Sequence, residues 1–226
     1  MTAYIPQLYD FLRRLAANNN RDWFRANRAE YDWLRGCWED DVNRLLSAMA
    51  LWEPSVARLN ARECSYRIYR DTRFSPDKTP YKTHFSAFLG PYGKKDIRAG
   101  FYLETGPFAS SGLYGGLWFA DSASLRRLRS DIAAFPDEFR ATVSNPELLR
   151  YFPEWCGESL KTMPKGYDRN HPDADLLRRK DFGRFRPADE KFFADPLWPE
   201  RTAELLHLLK PLNDFINLTL DNAANY

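Results

Sequence analysis

The 226-residue sequence predicts an α+β fold, in which α-helices pack on a mainly antiparallel β-sheet. Two stretches with helical periodicity lie near the two ends of the chain, and between them lie short aromatic-rich segments separated by proline and glycine. The connections within this middle region are too short for the crossover helices that parallel strands require. Because no long linker interrupts the order, we expect one domain over residues 1–226.

The N-terminal region predicts a short helix followed by a long amphipathic one. Residues 8–15 supply the apolar stripe of the short helix, and Asn20 is a residue type that caps helix N-termini. Apolar residues then recur at steps of three, four and seven over residues 24–49, which predicts one face of a continuous helix. The charged face of this helix, which includes Arg25 and Arg28, is interpreted as a solvated surface without a function.

Four short segments of the middle region are predicted strands. They span residues 65–70, 84–89, 100–105 and 112–119. Each is rich in aromatic residues and is bounded by residues that favour turns.

Helices return after the predicted strands. Ser122 or Ser124 is expected to cap the next helix, and a further helix is expected from Pro136 towards Val143. The last helical region runs from about residue 198 to residue 222, and Pro211 is expected to kink or restart it.

The bulk composition excludes several classes of protein. No apolar run approaches the roughly 18 residues that span a bilayer, and the N-terminus lacks the apolar core of a signal peptide. We therefore expect a cytoplasmic protein without a membrane partner. Three cysteines and three histidines, none at the spacing of a known ligand motif, predict no metal site and no cofactor. No feature of the sequence indicates an oligomeric state.

The segment YRIYRDTRFSPDKTPYKTHF, residues 66–85, concentrates positive charge among aromatic rings. Its ionisable side chains include Arg67, Arg70, Arg73, Lys78, Lys82, Asp71 and Asp77. Five cations against two anions give a local excess of +3, in a chain whose formal net charge is +2. This pattern favours a recess that receives phosphate or carboxylate, with Tyr69 and Tyr81 in its lining. The alternative is an arginine–aspartate network that holds a loop in place.

A second basic segment covers residues 161–186, which contain eight Lys and Arg residues and four Asp residues. Lys165 precedes Gly166 in a predicted turn and is the candidate ligand contact of this segment. The full set of predicted ligand-binding residues is Arg67, Arg70, Arg73, Lys78, Lys82, Lys165, Tyr69 and Tyr81. Their meeting around one hollow is the central expectation of the sequence.

No established catalytic motif is present, neither a nucleophile elbow nor a phosphate-binding loop. The weak candidates for proton transfer, or for orienting a proton-transfer group, are His84, His171 and Asp71. A single histidine is more often a structural residue than a catalytic one. Whether the protein is an enzyme therefore stays open.

Four sequence blocks resemble one family. They are FLRRLAANNNRDWFRANRAEYD, YRIYRDTRFSPDKTPYKTHF, GGLWFAD and MPKGYDRNHPDADLLRRKDF. Together they resemble the DUF2461 family, a domain of unknown function, and the second block is the most specific. The resemblance implies an independent domain and no particular activity.

Three functions compete at this point. The first is a site for a small phosphorylated or carboxylated ligand. The second is binding of single-stranded nucleic acid, because aromatic residues alternate with cations, although a pI near 8.4 lies below the value above 9 typical of basic nucleic-acid-binding domains. The third is a non-catalytic interaction or scaffold protein, in which the arginine–aspartate segment is structural.

Overall fold

The computed structural model describes residues 4–108 and 110–222. Its α-helices are α1 (Ile5–Ala17), α2 (Arg21–Ala26), α3 (Arg28–Met49), α4 (Ala61–Cys64), α5 (Ser122–Ala134), α6 (Pro136–Val143), α7 (Pro146–Tyr151), α8 (Ala174–Leu177), α9 (Glu190–Ala194), α10 (Trp198–His207) and α11 (Lys210–Asn222). Its strands are β1 (Phe85–Leu89), β2 (Gly100–Thr105), β3 (Gly112–Leu117), β4 (Glu154–Trp155) and β5 (Phe182–Pro187).

The strands form an antiparallel five-stranded sheet in the order β1-β2-β3-β5-β4. In the pair of β4 with β5, Glu154 lies opposite Phe185 and Trp155 lies opposite Arg184. The predicted α+β class is confirmed, with a long helix near the N-terminus and helices at the C-terminus.

The chain divides into two compact units, each built from several stretches of sequence. Unit 1 comprises Met1–Asp96, Tyr102–Leu113 and Pro187–Glu204, and unit 2 comprises Ile97–Phe101, Tyr114–Arg186 and Leu205–Tyr226. The expectation of one domain over residues 1–226 stays a prediction.

The core of unit 1 is aromatic. The ring of Phe11, from the apolar stripe of α1, lies 5.6 Å from that of Trp23 and 6.3 Å from that of Tyr31. Trp38 of α3 stacks on Trp198 at 5.7 Å, with an angle of 15° between the rings. Offset stacking of this kind contributes beyond the burial of the rings alone.

The core of unit 2 is built mainly from α5, α6 and α11. Its buried apolar side chains include Ala99, Leu117, Leu128, Ile132, Phe139, Val143, Leu177, Phe182, Leu212 and Ile216. The predicted helix from Pro136 to Val143 is confirmed as α6. Pro211 lies in the first turn of α11, where its missing N–H is tolerated, and this accounts for the restart after α10.

The predicted continuous helix after Asn20 is interrupted at Asn27. The Asn20 side chain accepts a hydrogen bond from the Trp23 N–H, so the predicted cap is confirmed. Asn27, however, ends α2 and precedes α3 with φ −106° and ψ 16°. Its side chain donates to the Trp23 carbonyl, which stabilises this local ending.

Two further local expectations differ from the structure. The helix α5 is capped by Asp121, which accepts from the N–H groups of Ala123 and Ser124, and not by Ser122 or Ser124. Residues 65–70 form isolated bridges instead of a regular strand. One reason is that Pro80, opposite this segment, has no N–H to donate.

None of the helices described combines the length with the apolar character needed to cross a membrane. The expected cytoplasmic location stays a prediction.

Candidate functional site

The basic aromatic segment of unit 1 folds back on itself. Tyr69 and Tyr81 face each other as an antiparallel bridge, and the Arg70 N–H donates to the Pro80 carbonyl at 2.9 Å. The Asn19 side chain donates to the Tyr81 carbonyl at 2.9 Å and accepts from the Tyr81 N–H at 3.1 Å. Asn19 immediately precedes the cap of α2, so these two bonds hold the segment next to that helix.

A cavity of about 440 Å³ lies where the segment meets α2, and we call it the arginine pocket. It is lined by Arg21, Phe24, Arg25, Arg28, Tyr69, Arg70, Thr72, Pro80 and Tyr81. Four of these residues are arginines, and none of the described lining residues is acidic. The lining therefore concentrates four guanidinium groups, and three of them also contact aspartates that lie outside the lining.

Three of the four arginines come from the helices. The spacings from Arg21 to Arg25 and from Arg25 to Arg28 are four and three residues. The three side chains therefore share one side of α2 and of the start of α3, despite the interruption at Asn27. Arg25 lies 3.5 Å from Asp22, and both side chains are at least 80 % exposed. Such an exposed pair is weak, which leaves Arg25 available to a ligand.

Arg28 and Arg70 are held more firmly. Arg28 donates through Nε to both carboxylate oxygens of Asp32, at 2.8 and 2.9 Å, and through Nη1 to the Tyr69 hydroxyl at 3.4 Å. Arg70 donates through Nη1 to the Asp77 carboxylate and to the hydroxyl of Thr79. These contacts fix the directions of both guanidinium groups.

The aromatic residues of the pocket form a connected group. Phe24 stacks on Tyr81 at 4.1 Å, and the rings of Tyr69 and Tyr81 are 5.3 Å apart. Tyr81 is buried, whereas Tyr69 is 44 % exposed, so Tyr69 offers a surface on which a planar ligand can stack. Burial raises the pKa of the Tyr81 hydroxyl, and the charges of Arg21 and the two other helical arginines oppose this rise.

A second pocket, of about 350 Å³, shares Arg70 and Tyr81 with the arginine pocket. Its lining also includes Lys82 and His84. Burial lowers the pKa of Lys82 and of His84, and in both cases the negative charge of Glu104 opposes the shift. These two side chains give the second pocket groups with perturbed proton affinity.

His84 belongs to a polar cluster centred on buried Glu104. The Nδ1 atom of His84 lies 3.6 Å from Glu104 Oε1, which also accepts from the Ser110 hydroxyl. The other carboxylate oxygen accepts from the Tyr102 hydroxyl at 2.7 Å. A carboxylate held in this way can orient a neighbouring imidazole.

Other predicted residues lie on the surface of the same loop. Arg73 donates to both oxygens of Asp71 and is 77 % exposed, and these bonds are the main reason why the Asp71 pKa falls to about 2. The Lys78 ammonium donates to the Thr72 carbonyl at 2.9 Å. Arg67 is exposed. Among the described residues that line the two pockets, Arg67, Asp71, Arg73 and Lys78 do not occur.

Two predicted residues belong to unit 2. Lys165 is exposed and precedes Gly166, whose φ of 97° confirms the predicted turn. His171 accepts a hydrogen bond from the Asp173 N–H through Nδ1 at 3.0 Å, and the Asp173 carboxylate is itself held by Arg140 at 2.7 Å. His171 is thus part of a structured turn. A ligand contact by Lys165 stays a prediction.

The structure also adds residues that the sequence interpretation did not select. Arg25 and Arg28 belong to the face that the sequence pattern indicates as solvated, and Arg21 is not among the predicted site residues. The signal was the spacing RDWFRANR, which places three arginines on one side of a helix. No group of three or more His, Cys, Asp or Glu side chains suited to a metal ion occurs among the described residues.

Comparison with known proteins identifies a family for this chain. A family model described as a conserved hypothetical protein, DUF2461, matches residues 7–215. The match covers most of the chain and confirms the resemblance inferred from the four sequence blocks. No curated protein and no solved structure matches the chain.

Proposed function

We propose that this chain, which belongs to the DUF2461 family of conserved hypothetical proteins, binds a small phosphorylated or carboxylated ligand in the arginine pocket. The observation that carries the proposal is the convergence of four arginines on one cavity whose described lining includes no acidic residue. Three of these arginines, on α2 and α3, come from outside the basic segment that first indicated an anion site.

Electrostatics favours an anion in this position. Two cations about 6 Å apart repel by about 3 kcal/mol at an effective dielectric constant of 20, and by less than about 1 kcal/mol in bulk water. A bound anion relieves this repulsion. Planar guanidinium groups also match the paired oxygens of carboxylate and phosphate, so the arginines provide geometry as well as charge.

The aromatic lining suggests a ligand with a planar or apolar body. The exposed ring of Tyr69 lies beside the arginines, and a cavity of about 440 Å³ is within the range of small-molecule sites. An anionic group on the guanidiniums and a ring on Tyr69 would use both features of the lining. An aryl phosphate or an aryl carboxylate is therefore a suitable probe.

The second pocket favours His84 as the group for proton transfer, if the bound ligand is chemically changed. His84 lines a pocket that shares Arg70 with the arginine pocket, and Glu104 lies beside its imidazole. Asp71 is bound by Arg73, and His171 is used in a turn of unit 2. Of the three sequence candidates, His84 thus has the setting closest to that of a general acid or base.

Calorimetric titration with phenyl phosphate and benzoate tests the proposal, with benzyl alcohol as the neutral comparison. We expect at least one anion to bind and the alcohol not to bind. Arg25→Gln should weaken anion binding by about tenfold, because it removes one charge-assisted contact worth about 1.4 kcal/mol.

The matched control is Arg73→Gln. Arg73 belongs to the basic segment of residues 66–85 but lines neither pocket. We expect this variant to bind as the unchanged protein does. Equal losses in Arg25→Gln and Arg73→Gln, or no binding of either anion, would contradict the proposal.

A further inference from the structure

A separate cavity in unit 1, of about 490 Å³, shares no lining residue with the arginine pocket. Its lining combines aromatic rings with carboxylates, chiefly Tyr4, Trp33, Trp198, Asp40, Asp41 and Asp195. We call it the acidic aromatic cavity. Its chemistry is opposite to that of the arginine pocket, so it requires a different kind of ligand.

The helix α3 supplies much of this cavity. Trp33, Asp40, Asp41 and Arg44 recur at helical spacing along one side of it. The Trp198 indole, at the start of α10, donates to Asp41 Oδ2 at 3.0 Å and stacks on the buried ring of Trp38. The wall that carries Asp41 is thereby held rigidly.

The charge of the cavity lining is negative. Three lining carboxylates against one lining arginine leave an excess of two negative charges. The lining arginine, Arg44, donates through Nη1 to Asp41 Oδ1 at 3.0 Å and through Nη2 to both oxygens of Glu200 at 2.8 Å, and Glu200 is not among the lining residues. Asp195 is bound by Arg201. Asp40 is exposed, and its side chain makes no hydrogen bond or ion pair with any residue that the structure describes.

A buried hydroxyl gives independent evidence for a ligand. Tyr4 is only 6 % exposed, and its hydroxyl lies near the Asp41 carboxylate without meeting hydrogen-bond geometry to it or to any other residue that the structure describes. Burial and the nearby charge of Asp41 together raise the pKa of this hydroxyl, so it stays protonated. A buried polar group without a partner is costly and rare. An N–H group of a ligand in the cavity would give the Tyr4 oxygen a donor.

The aromatic lining is suited to a cation. Trp33 is 46 % exposed and so presents its indole to the cavity or to solvent. Indole is the aromatic ring that attracts ammonium and guanidinium groups most strongly. Burial also raises the pKa of Asp41, and a cation beside this carboxylate would favour its ionised form.

We infer that the acidic aromatic cavity binds a small organic cation, a protonated amine with an apolar body. Its ammonium group lies between Asp40 and Asp41 and donates to the Tyr4 hydroxyl oxygen, and its body packs against Trp33. The inference is independent of the proposed function, because the two cavities have no lining residue in common.

Titration with 2-phenylethylamine and its neutral isostere 2-phenylethanol tests the inference. Binding is measured by calorimetry and by the nuclear magnetic resonance shift of the Trp33 indole N–H, which is assigned with a Trp33→Phe variant. We expect the amine to bind at least about tenfold more tightly than the alcohol and to move the Trp33 signal. Similar affinities for both compounds, no binding of the amine, or binding without movement of that signal would each overturn the inference.

Two variants locate the charged group. Asp40→Asn changes an exposed carboxylate and should weaken amine binding by about fivefold, and Tyr4→Phe should weaken it by about threefold. Glu138→Gln, an exposed carboxylate on α6 outside the cavity, is the matched control and should bind as the unchanged protein does. Thermal unfolding of each variant confirms that it is folded. Unchanged amine affinity in folded Asp40→Asn would overturn the inference.

Discussion

His84 lines the second pocket with its Nδ1 atom 3.6 Å from Glu104. Burial lowers the pKa of this histidine, Lys82 lowers it further, and Glu104 raises it, with a net shift below the usual value of about 6.5. The folded protein therefore binds a proton at His84 less readily than the unfolded chain does. Stability that depends on neutral His84 is present above about pH 6.5 and is lost as the pH falls through the lower, folded pKa.

We predict that the imidazole of His84 titrates below pH 6.5 in the folded protein, as followed by nuclear magnetic resonance. Between about pH 7 and pH 5, the free energy of unfolding measured with urea should fall less for His84→Gln than for the unchanged protein. The glutamine variant keeps a polar side chain of similar size but cannot take up the proton. A titration of His84 at or above pH 6.5 would contradict the prediction.

The arginines of the pocket show what a sequence can indicate at the scale of single residues. The density of cations around Arg70 was visible without a structure, and so were the aromatic neighbours Tyr69 and Tyr81. The participation of Arg25 depends on the contact between Asn19 and the backbone of Tyr81, across 62 residues of chain. Periodicity describes one helix at a time, so it could not indicate this pairing.

The same limit applies to charged residues of unit 2. Residues 161–186 carry a surplus of cations, and the sequence predicts a ligand contact among them at Lys165. Arg184, however, is buried and donates to the carbonyls of Phe152, Pro153 and Val143. Burial lowers its pKa to about 10. A charge count alone does not distinguish such a structural arginine from one that meets a ligand.

At the scale of elements, the short helix α2 connects stability with the proposed site. Its N-terminus is held by the bond from the Trp23 N–H to the Asn20 side chain, 2.9 Å long. The helix has only six residues, so the loss of one cap affects all of it. Because α2 carries Arg21 and Arg25, the cap also positions half of the pocket's arginines.

We predict that Asn20→Ala lowers the free energy of unfolding by about 1 kcal/mol, the usual contribution of an N-cap side chain. It should also weaken binding of phenyl phosphate, because α2 frays. Asn20→Asp keeps an oxygen acceptor and should retain the stability of the unchanged protein. Urea denaturation and calorimetry measure the two effects. Unchanged stability in the alanine variant would show that the cap does not hold α2.

Elements with strong local signals were predicted well, and those that depend on distant partners were not. The helix from Pro136 to Val143 was placed correctly because proline favours the first turn of a helix. The strands β4 and β5 were not predicted. The first has only two residues, and the second, FGRFRP, has arginines at positions where apolar residues would signal a strand. Their pairing stabilises them, and pairing is not a local property of the sequence.

At the scale of the whole molecule, positive and negative charges nearly cancel, whereas the charged residues that line each of two cavities are mainly of one sign. The formal net charge is +2, yet the arginine pocket is lined by four cations and the acidic aromatic cavity by three carboxylates and one arginine. Both cavities lie within unit 1. If both proposals hold, the protein attracts ligands of either sign locally, without the strong overall field that draws a polyanion to an extended basic surface.

Because the arginine pocket has only four arginines in its described lining, the salt dependence of binding can distinguish a small-ligand site from a site for single-stranded nucleic acid. Each phosphate neutralised on a single strand contributes about 0.7 to the dependence of log affinity on log salt, so four arginines limit the slope to about 3. We predict that an oligothymidylate of about 12 nucleotides shows at most this slope and binds no more tightly than thymidine monophosphate at about 150 mM salt. Fluorescence anisotropy over a range of salt concentrations measures both.

Arg25→Gln should reduce any measurable slope by about 0.7, and Arg73→Gln should leave it unchanged. A slope well above 3, with affinity that rises with strand length, would show an interface larger than the arginine pocket and would favour nucleic acid as the ligand.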